Sequence, residues 1–313
     1  MARLMLVANP AASQFTGGDH RRILQMLGRS HLIESVWPHS AADARTIAAD
    51  AVTAGFDGVV AMGGDGIVHQ VAQSLVGTDV FLAVLPAGTT NVFARQAGLP
   101  SRAVRAARLL TDEVPVRPWP VVTVEANLDD GSVVTRHAVF AAGLGFDADI
   151  VAAAETEPYR KYRFGGIHYA RTALAVYWSD LRKRRPTLTI EDPFRSVRGI
   201  GVMAQFHSTF TYFGPFALRF SPKPPHPMAV LTIERLPLRR LPSLLWNVAR
   251  ATPARVRGVA VWEDCERFSV EAEEPALMEL DGELIGRVTA AAFEYRSDAL
   301  WVAAPASGDS APA

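Results

Sequence analysis

Apolar residues follow two different rhythms along this chain. Over the first hundred residues, short apolar runs alternate with helical spacings. Arg3–Ala8 is an apolar run closed by Asn9-Pro10, and Asp19–Arg29 carries Ile23, Leu24 and Leu27 at helical spacing. His31–Trp37 alternates like a strand, and Ala41–Gly55 sets Ala44, Ile47, Ala48, Ala51 and Val52 on one helical face. Asp57–Met62 predicts a strand, Gly63–Gly66 a loop and Ile67–Val76 a helix. Val80–Leu85, Pro86–Thr90 and Asn91–Gly98 repeat that strand, loop and helix. Such repetition predicts an α/β fold with a doubly wound parallel sheet.

The rhythm changes at Pro115–Pro120, where three prolines break any helix. Val121–Ala126 and Val133–Ala141 read as strands around the turn pair Asp130-Gly131. One helical stretch, Ile167–Arg185, interrupts short strands at 187–191, 197–205, 228–234, 267–272, 277–281, 287–294 and 299–303. This half predicts an antiparallel β domain. The expected division is 1–118 for the α/β domain and 119–304 for the mainly β domain, with the last strand able to return to the first. The remainder, 305–313, is rich in Ala, Pro, Ser and Gly and is expected to be disordered.

Composition narrows the function. Lys and Arg together number 32, as do Asp and Glu, so a nucleic-acid partner loses its usual basic footprint. The lone cysteine, Cys265, excludes an internal disulfide and a thiolate zinc site, reads as a core residue and fits a reducing compartment. Leu4–Ala8 is too short for a signal-peptide core, and no apolar run approaches a membrane span. The expected location is the cytoplasm, transiently at the inner face of the membrane, with any membrane contact made from the surface.

Candidate chemistry lies in the loops. Gly63-Gly64-Asp65-Gly66 follows a strand and opens a helix. Glycines let backbone N–H groups approach phosphate oxygens, and the helix start adds a positive dipole end. An acidic residue there calls for a counter-ion, which Mg²⁺ on ATP would supply. The alternative is a tight turn capped by Asp65. A second loop, Leu85-Pro86-Ala87-Gly88-Thr89-Thr90-Asn91, follows the next strand, and a third, Asn9-Pro10-Ala11-Ala12-Ser13, follows the first. Loops at one sheet edge make a composite nucleotide site. Neither a Walker A sequence nor G-x-G-x-x-G occurs.

In this order, Asn9-Pro10, Gly63–Gly66, the run Leu85–Arg95, Gly143-Leu144-Gly145-Phe146-Asp147 and Leu280-Asp281-Gly282-Glu283 resemble the bacterial diacylglycerol/sphingosine-type lipid kinases. NAD kinases and phosphofructokinases share the first glycine loop more distantly. The resemblance covers residues 3 to 304. It implies an α/β nucleotide domain, a C-terminal β-sandwich and transfer of phosphate from Mg-ATP to a lipid hydroxyl. Diacylglycerol, a long-chain base and a phosphatidyl head group are all acceptors of that kind. It implies that ATP is held by Asn9, Pro10 and Ser13, by Gly63, Gly64, Asp65, Gly66, Ile67 and His69, and by Gly88, Thr89, Thr90 and Asn91. It implies Mg²⁺ near Asp65, and places Asp281 and Glu283 at the reacting hydroxyl, one of them as general base. Read alone, Asp281-Gly282 is a common hairpin turn.

The sequence also departs from the family pattern. Ile67, His69 and Gln70 stand where relatives carry threonine, asparagine and glutamate, and Val92 replaces an aspartate. One lost hydrogen bond to a charged group costs ~1.5–3 kcal/mol, weakening ATP binding without abolishing it. These positions keep open a weakly active or inactive nucleotide- and lipid-binding relative. A kinase for a soluble acceptor, as NAD kinase is, is a further alternative, opposed by the motifs at 143–147 and 280–283. Pro225-His226-Pro227 replaces a metal-binding Asp-Asp-Gly, so no structural metal is expected at 225–228. Basic clusters at 160–163 and 182–185 bracket an aromatic-bearing helix, which reads as a bilayer contact or as a core helix with dipole-compensating cations. Phe206, Phe210, Tyr212, Phe213 and Phe216 read as an acyl-chain lining or as ordinary core. Antiparallel edges leave pairing of two copies open.

Overall fold

In the computed structural model, residues 1–111, 114–155, 185–214, 216–222 and 227–305 are described. The expectations for the helix at 167–185, the basic clusters (Arg185 excepted), the residues at 225–226 and the tail from 306 fall outside them. The chain divides into one unit of Met1–Val121 plus the segment starting at Ser297, and a second unit of Val122–Arg296.

The first unit is built on parallel strands: β1 (Arg3–Ala8), β2 (Leu32–Val36), β3 (Gly58–Gly63) and β4 (Phe81–Pro86). Their order is β4-β3-β1-β2, and the end of the last strand, which enters this unit, adds alongside β4 through Val302 opposite Leu82. β3 and β4 are buried along their whole length. Helices covering both faces of a parallel sheet demand such continuous apolar runs. Edge strand β2 is mostly exposed instead.

Helix α1 (Gly17–Leu27) starts two residues ahead of the expected Asp19 because Thr16 Oγ1 accepts the Asp19 amide at 3.0 Å. Ser40 caps α2 (Ala41–Thr53) in the same way, through the Asp43 amide at 3.1 Å. α2 turns Ala44, Ala48 and Ala51 inward and packs on α3 (Asp65–Leu75). α4 (Val92–Gln96) is short, and α5 (Ala103–Ala107) has no counterpart in the sequence reading.

The second unit is antiparallel. β5 (Val116–Leu128) enters it and pairs with β6 (Val133–Ala138); β7 (Ala142–Gly145) leads into α6 (Phe146–Glu155). Then come β8 (Leu188–Glu191), β9 (Ser196–Gly199), β10 (Gly201–Gln205), β11 (Thr211–Phe213), β12 (Phe216–Leu218) and β13 (Met228–Ile233). Helix α7 (Leu241–Ala249), β14 (Val259–Cys265), β15 (Arg267–Leu280) and β16 (Glu283–Ala303) complete it, β16 running on into the first unit. The main ladder runs β14-β13-β10-β7-β15-β16. Phe268 and Phe293 stack at 4.4 Å in its core, where Cys265 is also buried. Burial pushes the Cys265 thiol up to about 11.

Several sequence expectations need correction here. The proline-rich stretch does not end an element: Pro118 and Pro120 lie inside β5, whose ladder with β6 begins only at Val122. Before that point a missing N–H costs no ladder bond to β6. The segments 267–272 and 277–281 are one strand with a register shift between Glu271 and Ala276. Likewise 287–294 and 299–303 are one strand, and 197–205 is two. α6, α7 and β14 were not foreseen. Phe206 and Phe210 are core, whereas Phe216 is 65% exposed.

Candidate functional site

The three loops predicted to hold a phosphate follow the C-terminal ends of β1, β3 and β4, and all lie together in the first unit. The Asn9 amide donates to Met62 O (2.9 Å) and the Ala87 amide to Gly63 O (2.8 Å). Gln14, unmarked in the sequence reading, joins the outer loops. Its amide donates to Ala87 O and its Nε2 to Gly88 O, each at 2.8 Å. The Ser13 and Thr89 hydroxyls pair at 3.1 Å.

Two glycines set the closeness of these loops. A Cβ at Gly88 would lie 2.5 Å from Gly64 Cα, so backbone faces backbone there. At Gly63 a Cβ would meet Ile67 Cγ2 at 2.6 Å. Gly64 is the extended N-cap of α3 and offers no side-chain cap, so the helix opens with amides that have no intrahelical acceptor. That is the donor set an anion uses.

Asp65 has a second task that the sequence did not disclose. Its Oδ2 accepts the Val92 amide (2.9 Å) and its Oδ1 the Phe93 amide (3.1 Å), capping α4 from another helix. Asn91 adopts a left-handed conformation (φ 49°) and closes its own loop, accepting the Gly88 amide at 2.9 Å and donating to Gly88 O at 2.8 Å. Thr89 and Thr90 are exposed, whereas Ile67 and His69 are buried. His69, expected among the ATP contacts, is fully buried within α3. Gln70 Oε1 accepts from Arg45 Nη2 at 2.7 Å and so ties α3 to α2. Pro10 lies exposed at the tip of the first loop.

In the second unit the 280–283 motif is a two-residue turn joining β15 to β16. Asp281 (φ 58°) and Gly282 (φ 81°) both occupy the left-handed region that a type I′ hairpin requires. Asp281 is 3% exposed. Its Oδ1 accepts the amides of Val139, Phe140 and Ala141 at 3.0, 2.8 and 3.0 Å, and Oδ2 also accepts Val139 at 2.9 Å. Glu283 is partly exposed.

Beneath the turn lies a carboxyl pair missed from sequence. Glu279 is buried and accepts the Gly282 amide through Oε2 at 2.7 Å. It also hydrogen-bonds Asp147. Gly143 makes room for both: a Cβ there would come within 2.6 Å of Asp147 Oδ2 and 2.8 Å of Glu279 Oε1. The available signal was Glu279, a carboxylate in an apolar strand two residues before Asp281. Burial raises Glu279 well above the usual carboxylate range, reinforced by the charge of Asp147. Asp147 is itself raised by burial to about 6, so the pair shares a proton.

A folded-state pKa raised above the unfolded value means the folded chain holds the proton more tightly. The stability contributed by the Asp147 proton is fully present below pH ~4 and is lost as pH rises through about 6. Asp147→Asn is expected to flatten that fall, by at most about 3 kcal/mol at two pKa units. Urea unfolding at several pH values checks this; parallel curves for both proteins would refute the shared proton.

Residues 3–121 match the family described as the diacylglycerol kinase catalytic domain. Diacylglycerol kinase of Mycobacterium tuberculosis (strain ATCC 25618 / H37Rv) is 33% identical over 129 residues, 41% of this chain and 40% of that protein. A Pseudomonas aeruginosa (strain UCBPP-PA14) protein named "Probable lipid kinase YegS-like" is 35% identical over 152 residues, 48% of this chain and 45% of its own. The matches thus span less than half of those relatives' length. Among solved structures, a diacylglycerol kinase from Bacillus anthracis str. Sterne superposes with a TM-score of 0.67 at 17% identity, covering 97% of both chains. An NAD kinase from Archaeoglobus fulgidus, solved with ATP, gives 0.52 at 14% identity, covering 96% of this chain and 93% of its own. These likenesses establish the fold. Over residues 3–121 the chain is thus similar in sequence to the diacylglycerol kinase catalytic domain.

Proposed function

We propose that this protein is an ATP- and Mg²⁺-dependent lipid kinase, phosphorylating a hydroxyl of a lipid such as diacylglycerol or a long-chain base. The observation that carries the reading is the apposition of Gly64 and Gly88 beside the uncapped start of α3. Backbone meets backbone there, with no room for a side chain at Gly88, and the free amides of α3 open beside it. The match of residues 3–121 to the diacylglycerol kinase catalytic domain supports the same chemistry.

The residues present fit Mg-ATP. The α3 amides and the glycine backbone suit the phosphates, with Ser13 and Thr89 beside them. Asp65 is the one carboxylate in these three loops, and Mg²⁺ asks for one or two carboxylates with phosphate and water completing its shell. When bound, Mg²⁺ neutralises charge developing on the transferred phosphoryl group. The attacking hydroxyl must lose its proton as its oxygen bonds to phosphorus. Of the two carboxylates that the family resemblance assigns to that role, Glu283 is the more reachable. Asp281 already serves three backbone amides and holds the turn that carries Glu283.

The test is incubation with labelled ATP, Mg²⁺ and total membrane lipid in mixed micelles, with label counted in the organic phase. Label is expected with the unaltered protein. Asp65→Ala should lower it about a hundredfold or more, having lost two charge-assisted bonds at ~1.5–3 kcal/mol each. ATP binding without any labelled lipid would favour a nucleotide-binding relative or a kinase for a soluble acceptor.

A further inference from the structure

Helix α7 carries large apolar side chains on its outer side as well as its inner one. Leu244 points into the second unit, while its neighbours Leu245 and Trp246 are 58% and 60% exposed. Strand β12, against which α7 packs, adds Phe216 at 65% exposure. Three large apolar side chains so displayed mark an interaction site rather than scatter.

The charge around them is one-sided. Between Glu234 and Gly258 the sequence holds six arginines and a single carboxylate, Glu234. The chain as a whole balances 32 basic against 32 acidic residues, so this local excess is a departure from its own average. Arg239, Arg250, Arg255 and Arg257 are all exposed. None of them forms an ion pair with a carboxylate among the described residues. Arg250 lies over the Trp246 ring at 4.3 Å, placing a guanidinium at the rim of the apolar patch.

We infer that α7, Phe216 and the flanking arginines form a docking surface for an anionic lipid bilayer. Leucine, tryptophan and phenylalanine suit the boundary between head groups and acyl chains, where tryptophan concentrates. Arginines at the rim suit anionic head groups. An apolar centre with a basic border that has no carboxylate partner among the described residues is complementary to such a membrane and poorly suited to a second copy of itself, since like charges would face each other. The site lies in the second unit and shares no residue with the three loops of the first. It stands whether or not the chain turns over ATP.

The experiment is flotation of the whole protein, without ATP, on phosphatidylcholine vesicles with and without phosphatidylglycerol. Binding is expected only with phosphatidylglycerol and should weaken as salt rises. Leu245→Ser combined with Trp246→Ser should cut partitioning about tenfold or more, since both lose apolar burial. Arg239→Gln and Arg250→Gln should each cut it about fivefold. Circular dichroism and melting confirm that each variant folds, and turnover on lipid in detergent micelles should be unchanged if the lipid-kinase reading is correct. Three outcomes overturn the inference: no vesicle binding, equal binding by native and variant chains, or a native dimer that the Leu245/Trp246 variant dissolves. None of them bears on the nucleotide site.

Discussion

Asp281→Ala is expected to unfold the second unit more readily, by at least about 3 kcal/mol, before any question of catalysis arises. Three consecutive amides, those of Val139, Phe140 and Ala141, converge on this one buried carboxylate. Leaving a buried donor without an acceptor costs ~1–3 kcal/mol each, and an alanine offers none. Alanine would also inherit a backbone at φ 58°, a left-handed conformation that aspartate and asparagine tolerate better. At roughly 2–4 °C per kcal/mol, the midpoint should fall by about 6–12 °C. Asp281→Asn keeps an acceptor oxygen and the turn geometry, so its loss should be intermediate. Glu283→Gln touches none of these bonds and is expected to melt like the native chain while losing phosphoryl transfer. Calorimetry on the three variants beside the lipid assay separates the two roles. A native melting curve for Asp281→Ala with turnover abolished would assign the direct catalytic role to Asp281 instead.

The second large effect is expected at Gly88. A methyl group there would need to occupy space 2.5 Å from Gly64 Cα and 2.8 Å from Asn91 Oδ1. Gly64 is backbone at a helix start, and Asn91 is engaged in bonds to both the amide and the carbonyl of residue 88. Neither can step aside without opening the loops relative to each other. A displacement of ~1 Å at a positioned site costs on the order of a hundredfold. Gly88→Ala should therefore lower nucleotide affinity about a hundredfold, measured by titration with a fluorescent ATP analogue. Retention of affinity within about threefold would mean that the Gly64–Gly88 apposition does not form the nucleotide cradle.

How far the sequence disclosed these arrangements depends on the range of the interaction. The parallel strands of the first unit were readable because β3 and β4 are buried on both faces and appear as unbroken apolar runs. The glycine loops after β3 and β4 could be placed from sequence because glycine is itself the signal of a tight strand-to-helix turn. The second task of Asp65 was not, since its partners lie 27 and 28 residues away and are main-chain amides that any sequence carries. Asp281 shows the same limit across 140 to 142 residues. Asp147 and Glu279 meet only because β7 lies beside β15, opposite Gly143. β15 was read as two strands because Pro275 and the register shift around it imitate a loop.

β16 carries a further consequence, for the order of events during synthesis. Its last residues complete the parallel sheet of the first unit: Leu300, Val302 and Ala303 are buried there, and Ala299 O accepts the Gly77 amide. A ribosome delivers those residues only after the whole of the second unit has emerged. At ~5–20 residues per second, the edge of β4 stays uncovered for on the order of ten seconds or more. Throughout that interval the nascent first unit presents an apolar, hydrogen-bond-hungry flank to other nascent chains. Its maturation is thus timed by the last strand translated, and a fragment cut at residue 121 would remain permanently in that unfinished state.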